Sequence, residues 1–250
     1  MTLIFRVEDW HSIQFRALRA KLGGIGSDAL RVQRVSSTSF DNSQLKSMNP
    51  AIDLLLKRRS VPPRLLGPPA PTPREVDTML TIASRVPDHG RAVPWRFIII
   101  GPAGGARLGE LIAATFLVDH PDATAATMDA ERARLVRAPL VIAVVSCPHE
   151  HPKAPEWEQT LSAGAAAMNL VIAANALGYS TNWHTEWYAY DDRITSELGL
   201  GAEERIAGFV HIGTALEPPL DRPRPELSEI VSRYVSTGIE PYHPADGDQS

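Results

Sequence analysis

The sequence predicts a mixed α and β fold, with one small sheet between helices. Three observations carry this. Capped helical stretches alternate with a few β-branched runs, there are too few short strands for a sandwich or barrel, and no repeat of roughly 20 to 50 residues is visible. The chain has 250 residues with 44% hydrophobic content, enough for one large domain with a real core.

The elements follow in order. Asn49 caps a helix over 50–57, with Pro50 in its first turn. The turn "RRSVPP" and a proline-rich connection come next. Thr72 caps a second helix over 73–84, and Pro73 takes its first position. "RVPDHGRAVPW" leads into a strand at 97–100, followed by a helix at 104–117. Residues 119–137, rich in Asp, Ala and Arg, read as helical. "APLVIAVVSC", 138–147, is a β-branched strand. A histidine-rich loop opens onto an apolar helix at 158–177. "GYSTNWHT" follows, then a polar helix at 190–198 and the strand "RIAGFVHIGTA" at 205–215. The segment "EPPLDRPRPELSEIVSRYV" is proline-rich and then helical.

The chain divides into an N-terminal extension over 1–47, a domain over 48–238 and a flexible tail over 239–250. The extension opens with a short amphipathic helix and continues as a polar, weakly periodic loop or disordered arm. Met48 stands at its end, so the extension is either an added arm or an upstream start that the cell does not use. Net charge is −4, without the basic face of a nucleic-acid binder. The single cysteine, Cys147, forms no internal disulfide and fits a reducing, cytoplasmic compartment. The stretch 161–178 has the length of a membrane span. Asn169 and Asn175 would be costly in lipid, and its small residues suit close packing inside the protein or at a subunit interface, so no membrane association is expected.

Several places invite chemistry. "KRRS" puts two arginines and a serine at a helix end, which suits an anionic ligand or merely complements the helix dipole. "DRPRP", 221–225, is a second basic cluster stiffened by proline. "HEHP", 149–152, hints at metal, but no HExxH or CxxC pattern supports it and solvated histidines are expected. No GxSxG occurs, and Cys147 ends an apolar strand as a packed thiol. The glycines of "GPAGGARLG" lack the dinucleotide spacing. The connection "RVPDHGRAVPW" is unusual for its charge and for its stiffness, since Pro87 and Pro94 fix backbone torsions.

"RRS", "RVPDHGRAVPWRFIII", "PEWEQTLSAGAAAMNLVIAANALGYSTNWHT" and "GFVHIGTA" come in the order of the nitroreductase family. The chain resembles its compact NAD(P)H nitroreductase branch over about residues 49–236. The resemblance implies an α+β fold with a small, mainly antiparallel sheet flanked by helices, in a homodimer with an interface helix and a C-terminal extension. It implies FMN as cofactor, with two flavins at the subunit interface that each contact both chains. NAD(P)H as co-substrate reduces the flavin, which then reduces a nitroaromatic, quinone or related small-molecule electron acceptor in a ping-pong cycle. The reactive atom then belongs to the cofactor, so no catalytic side chain is expected, and no metal.

Position by position, Arg58, Arg59 and Ser60 match the segment that meets the FMN phosphate and ribityl chain. Arg85 and His89 match flavin contacts, and Trp183, His184 and Thr185 match the loop against the isoalloxazine. Ala173, Ala174, Asn175, Ala176, Leu177 and Gly178 match a stretch proposed for the nicotinamide nucleotide. Arg224 is the candidate for a second phosphate contact. The chain departs from the family at Val93, where many members have an amide, at Arg91, where many have Asn, and at His184, where the compact branch often has Arg. Two other classes stay open: a flavin-binding protein without turnover, and a metal-dependent hydrolase using His149 and His151.

Overall fold

A computed structural model describes residues 49–244. The amphipathic helix and polar arm expected within 1–47, Met48 and the end of the tail at 245–250 lie outside the described residues.

The helical entrances follow the side-chain chemistry. Asn49 accepts a hydrogen bond from Ala51 N at 2.9 Å and opens α1, Pro50–Lys57. Thr72 and Glu75 form a reciprocal capping box at the start of α2, Pro73–Ala83, with Thr72 N donating to Glu75 Oε2 at 2.7 Å. The sheet is built around β5, Arg205–Ala215, which pairs antiparallel with β3, Leu140–Ser146, with β4, Ser180–His184, and with the two-residue β1, Leu66–Gly67. β2, Trp95–Ile100, pairs antiparallel with β3. Ile212 pairs with both Leu140 and Thr181, so β4 lies on the opposite side of β5 from β3. The sheet therefore runs β4, β5, β3, β2 across, and its named strands all pair antiparallel.

Helices cover both faces. On one, Val76 and Met79 of α2 and the small-residue stripe Ala163, Ala166, Ala167, Leu170, Ala174 of α5, Glu156–Ala176, are buried, and most of them pack on Ile142, Val144, Val210 and Ile212. On the other, Leu108 and Ile112 of α3, Pro102–Asp119, pack with Tyr188 and with Ile194 of α6, Asp192–Glu197, on Val141, Ala143 and Phe209. Covered on both sides, every residue of β3 is buried. Each such aliphatic side chain contributes roughly 1.5–3 kcal/mol relative to exposure. Asn169 and Asn175 are satisfied within this packing. Asn169 Nδ2 donates to Ile82 O and Arg85 O, and Asn175 Nδ2 to Thr181 Oγ1.

Three segments differ from expectation. The stretch 119–137 holds only a short helix, α4, Ala125–Arg132: α3 runs to Asp119, Pro121 and Asp122 turn the chain, and Thr124 caps the new helix through Thr127 N. "STNWH" is a strand, β4, because β5 has an open edge for it. The C-terminal stretch expected as helix has four helical residues, α7, Leu227–Ile230, and then a hairpin of β6, Ser232–Val235, and β7, Gly238–Pro241.

Candidate functional site

Arg58 caps α1, donating its N–H to Leu54 O at 2.8 Å. The chain then runs beside β4. Ser60 bridges to Thr181, Val61 N donates to Thr181 O at 2.9 Å, and Asn182 Nδ2 donates to Val61 O at 3.1 Å. The triplet 58–60 and β4 are thus fastened side by side. Arg59 Nε donates to Leu220 O at 3.1 Å and lies 3.6 Å from the Asp221 carboxylate, which brings the basic cluster of 221–225 against the same place. Burial pushes the Arg58 pKa down, and the charges of Arg224, Arg59 and Arg222 push it further. A helix dipole alone leaves no such strain. Four guanidiniums beside the Asp221 carboxylate carry a surplus of positive charge, and an anion with several acceptor oxygens relieves it.

β4 carries the second part of the site. Strand alternation puts Thr181 and Trp183 on one face, Asn182 and His184 on the other. Trp183 is more than one-third exposed, and its Nε1–H donates to Ala207 O at 3.1 Å. Its indole lies over Gly208, where any Cβ would overlap the ring. This presents a fixed aromatic surface at the Ala207–Gly208 part of β5, further along β4 than the bridge to Ser60. His184 turns the other way. Its Nδ1 lies 2.8 Å from Asn182 Oδ1, its Nε2 3.5 Å from Glu186 Oε2, and its ring 4.7 Å from that of His211. Burial lowers the His184 pKa against the pull of Glu186, and Arg137 and Arg134 lower it further. Glu186 is held by Arg134, by Arg137 at 3.3 Å and by Tyr188 Oη at 3.0 Å. His211 is fully buried, neither ring nitrogen has a hydrogen-bond partner among the described residues, and burial followed by the His184 charge brings its pKa down to about 3. Thr185 Oγ1 accepts from Tyr190 Oη at 2.8 Å.

The charged connection 85–94 forms the third part. Gly90, Arg91 and Val93 have φ of 70°, 59° and 50°, and for β-branched Val93 this left-handed backbone is strained. Asp88 holds it there by accepting Val93 N–H at 3.1 and 3.2 Å. Ser162 Oγ donates to Pro87 O at 2.7 Å and accepts from Trp95 Nε1 at 3.1 Å, pinning the loop along α5. Asp88 therefore serves the loop itself, while Arg85, His89 and Arg91 are exposed. His89 Nδ1 lies 2.8 Å from Glu158 Oε2, which orients the ring.

The structure brings Arg58, Arg59, Ser60 and the Arg224 segment together beside Thr181 of β4, with Trp183 two residues further along that strand. It places Arg85 and His89 along α5 instead, where Asn169 Nδ2 donates to Arg85 O at 3.0 Å and Glu158 meets the His89 ring. Of the stretch matched to nucleotide, Ala173 and Ala174 are buried in the core and have no face to offer, while Ala176, Leu177 and Gly178 are exposed. His149 and His151 turn to local backbone: Nδ1 of His151 accepts from Lys153 N at 3.2 Å and Ala154 N at 3.1 Å. Among the described residues no group of three or more His, Cys, Asp or Glu side chains converges as a metal site. No helix among them is long and apolar enough to cross a membrane. Sequence reasoning missed Arg222, Gly208 and Glu158. An isolated glycine within a strand is a signal of close approach and could have pointed to Gly208. Arg222 lies within the basic cluster 221–225 that the sequence does show, and Glu158 carries no local signal.

The Nitroreductase family model matches residues 55–214. The chain is 34% identical over 164 residues to "Putative NAD(P)H nitroreductase YdjA" of Escherichia coli (strain K12), covering 66% of this chain and 87% of that protein. Among solved structures it is similar to the nitroreductase-like family protein from Bacillus cereus, with a TM-score of 0.64 and 22% identity over 74% of this chain and 96% of that one. It is also similar to "a putative nitroreductase in complex with fmn" from Desulfovibrio desulfuricans, with a TM-score of 0.57 and 22% identity over the same shares, 74% and 96%.

Proposed function

The chain belongs to the nitroreductase family, and from that premise we propose that it is an FMN-dependent oxidoreductase, reduced by NAD(P)H and oxidised by a nitroaromatic, quinone or related small acceptor. The observation that carries the proposal is the surplus of guanidinium charge around Arg58, with an exposed, fixed indole further along the same strand edge. A dianionic phosphate fits the first and a flat ring system the second. Arg58, Arg59 and Arg224, with Arg222, hold the phosphate, and the Ser60 hydroxyl adds a neutral hydrogen bond. Trp183 and Thr185 border the ring. FMN, when bound, supplies two-electron acceptor and donor chemistry. The protein's part is to bind it, orient it and keep it within reach of both substrates in turn, which is the basis of a ping-pong scheme.

The resemblance implies flavins that each contact both chains, and in this reading a second copy of the chain supplies Arg85 and His89 to the flavin held at Arg58. The apolar face left open on α5 by Trp157 and Leu161, and on α1 by Ile52, Leu55 and Leu56, supports a homodimer in which α5 is the interface helix. The exposed Ala176–Gly178 turn at the end of α5 is the part of its stretch open to a nicotinamide nucleotide. The protein acts in the cytoplasm in this reading. Steady-state oxidation of NADH and NADPH by the FMN-loaded protein, with a quinone or nitroarene as acceptor, tests it. Parallel double-reciprocal lines are expected. FMN bound without acceptor-dependent turnover would make the protein a flavin carrier instead, and a stable flavin-loaded monomer in sedimentation equilibrium would refute the dimer.

A further inference from the structure

Past β5 the chain becomes an extended strap, Glu217–Glu226, with prolines at 218, 219, 223 and 225. Leu216 closes on the body: its N–H donates to Leu65 O at 2.9 Å and its side chain lies over Gly67. From Glu217 to Glu226, among the described residues, the polar ties from strap to body both run to Arg59. These are the bond from Nε to Leu220 O and the approach to Asp221. The Arg59 side chain is 16% exposed and the Asp221 side chain 85%, so the backbone carbonyl is the firm end of this tie and the screened carboxylate the weak one. The strap then leads through α7 to the β6–β7 hairpin, whose Tyr234 and Ile239 are exposed.

We propose that Arg59 is the anchor of an anion-operated clasp, in which phosphate bound at Arg58 locks the proline-rich strap, and with it the C-terminal hairpin, against the body of the protein. The inference rests on the reading that the FMN phosphate sits at Arg58. The physical basis is the conflict within the cluster. Closing the strap brings Arg222 and Arg224 toward Arg58 and Arg59, and like charges resist that closure. The Leu220 carbonyl holds the strap in place through Arg59 Nε, and the two terminal nitrogens of Arg59 remain to face an anion. Prolines on both sides of Leu220 keep the strap stiff, so fixing one carbonyl sets where both strap arginines stand. An anion that binds the closed form better than the open one shifts the population toward closure, and closure tightens the anion by the same factor. Cofactor occupancy and the position of the C-terminal arm are then one equilibrium.

Hydrogen exchange of peptides covering 216–241, measured on the full chain stripped of cofactor, tests this with four additions: none, FMN, riboflavin and inorganic phosphate. FMN and inorganic phosphate each slow exchange in 216–230 by about tenfold or more, and riboflavin does not. Arg59→Gln returns the strap of the FMN-saturated protein to the unprotected rate, whereas Arg59→Lys, which cannot present a guanidinium Nε, restores little protection. FMN binding that depends on Arg58 but leaves strap exchange unchanged overturns the clasp and leaves the cofactor assignment standing. Equal protection by FMN and riboflavin also overturns it, because the ring would then be the trigger. Protection by inorganic phosphate in a protein that does not retain FMN supports the clasp and refutes the cofactor assignment.

Discussion

His211 offers a test of the buried side of β4. The imidazole has no exposure, its nitrogens are unpaired, and its pKa is about 3 against 6.5 for a free side chain. Because the folded value is depressed, the unfolded chain binds more protons whenever pH lies between the two. The contribution is neutral above about pH 6.5, and stability is lost as pH falls from there toward 3. The slope approaches 1.4 kcal/mol per pH unit, so integration from pH 7 to pH 5 gives a loss of about 2 kcal/mol from this one residue. His211→Phe keeps an aromatic ring against His184 and cannot be protonated. It also removes two unsatisfied buried nitrogens, each costing about 1–3 kcal/mol, so the variant is expected to be no less stable than the parent at pH 7. Urea unfolding at fixed protein concentration, at pH 7, 6 and 5, measures the difference. The parent loses about 2 kcal/mol more than His211→Phe over that interval. Parallel stability curves would refute the neutral, buried state of His211 and the electrostatics drawn around it.

Other predictions follow from the same geometry. Arg58→Ala weakens FMN by roughly 2–5 kcal/mol, or about 30-fold to several-thousand-fold, in a fluorescence titration, and unchanged retention on dilution would return Arg58 to dipole capping. His184 is held below its ordinary pKa by burial, Arg137 and Arg134, so the flavin midpoint potential shows excess pH dependence only on acidification below about pH 6.5, and His184→Arg removes it; identical redox titrations of the two proteins would leave the His184 ring without influence on the flavin. The Cys147 thiol is pushed up to about 12, chiefly by burial and then by Glu204, so its thiolate is rarer at pH 8 by roughly three powers of ten than that of a free thiol, and a disulfide reagent modifies it fast only after unfolding.

Much of the fold was legible because its signals are local. The caps at Asn49 and Thr72, the β-branched run of β3 and the span of β5 each declare themselves within a few residues. β4 was not legible, since "STNWH" has no hydrophobic alternation and becomes a strand only through the open edge of β5. The first strand of the hairpin, Ser232–Val235, reads as helix because "ELSEIVSRYV" fits helical spacing, while the turn residue Gly238, at φ of 127°, lies beyond it and the second strand, Gly238–Pro241, runs into the stretch expected as a flexible tail. For the site, the family resemblance supplied Arg58, Arg85, His89 and Trp183, but that Arg58 and Trp183 lie along β4 while Arg85 and His89 lie along α5 is a property of topology. The role of Asp88 was hidden as well: a carboxylate in a charged loop looks like ligand chemistry until its bond to Val93 N is seen.

The most direct test of the account is the affinity of the purified, cofactor-stripped protein for FMN against riboflavin. Charge-assisted contacts from Arg58 and the strap arginines to the phosphate should favour FMN by about 100-fold or more, with one flavin retained per chain. Equal affinity for the two flavins, or a protein that retains neither, would contradict the assignment of the arginine cluster and the function built on it.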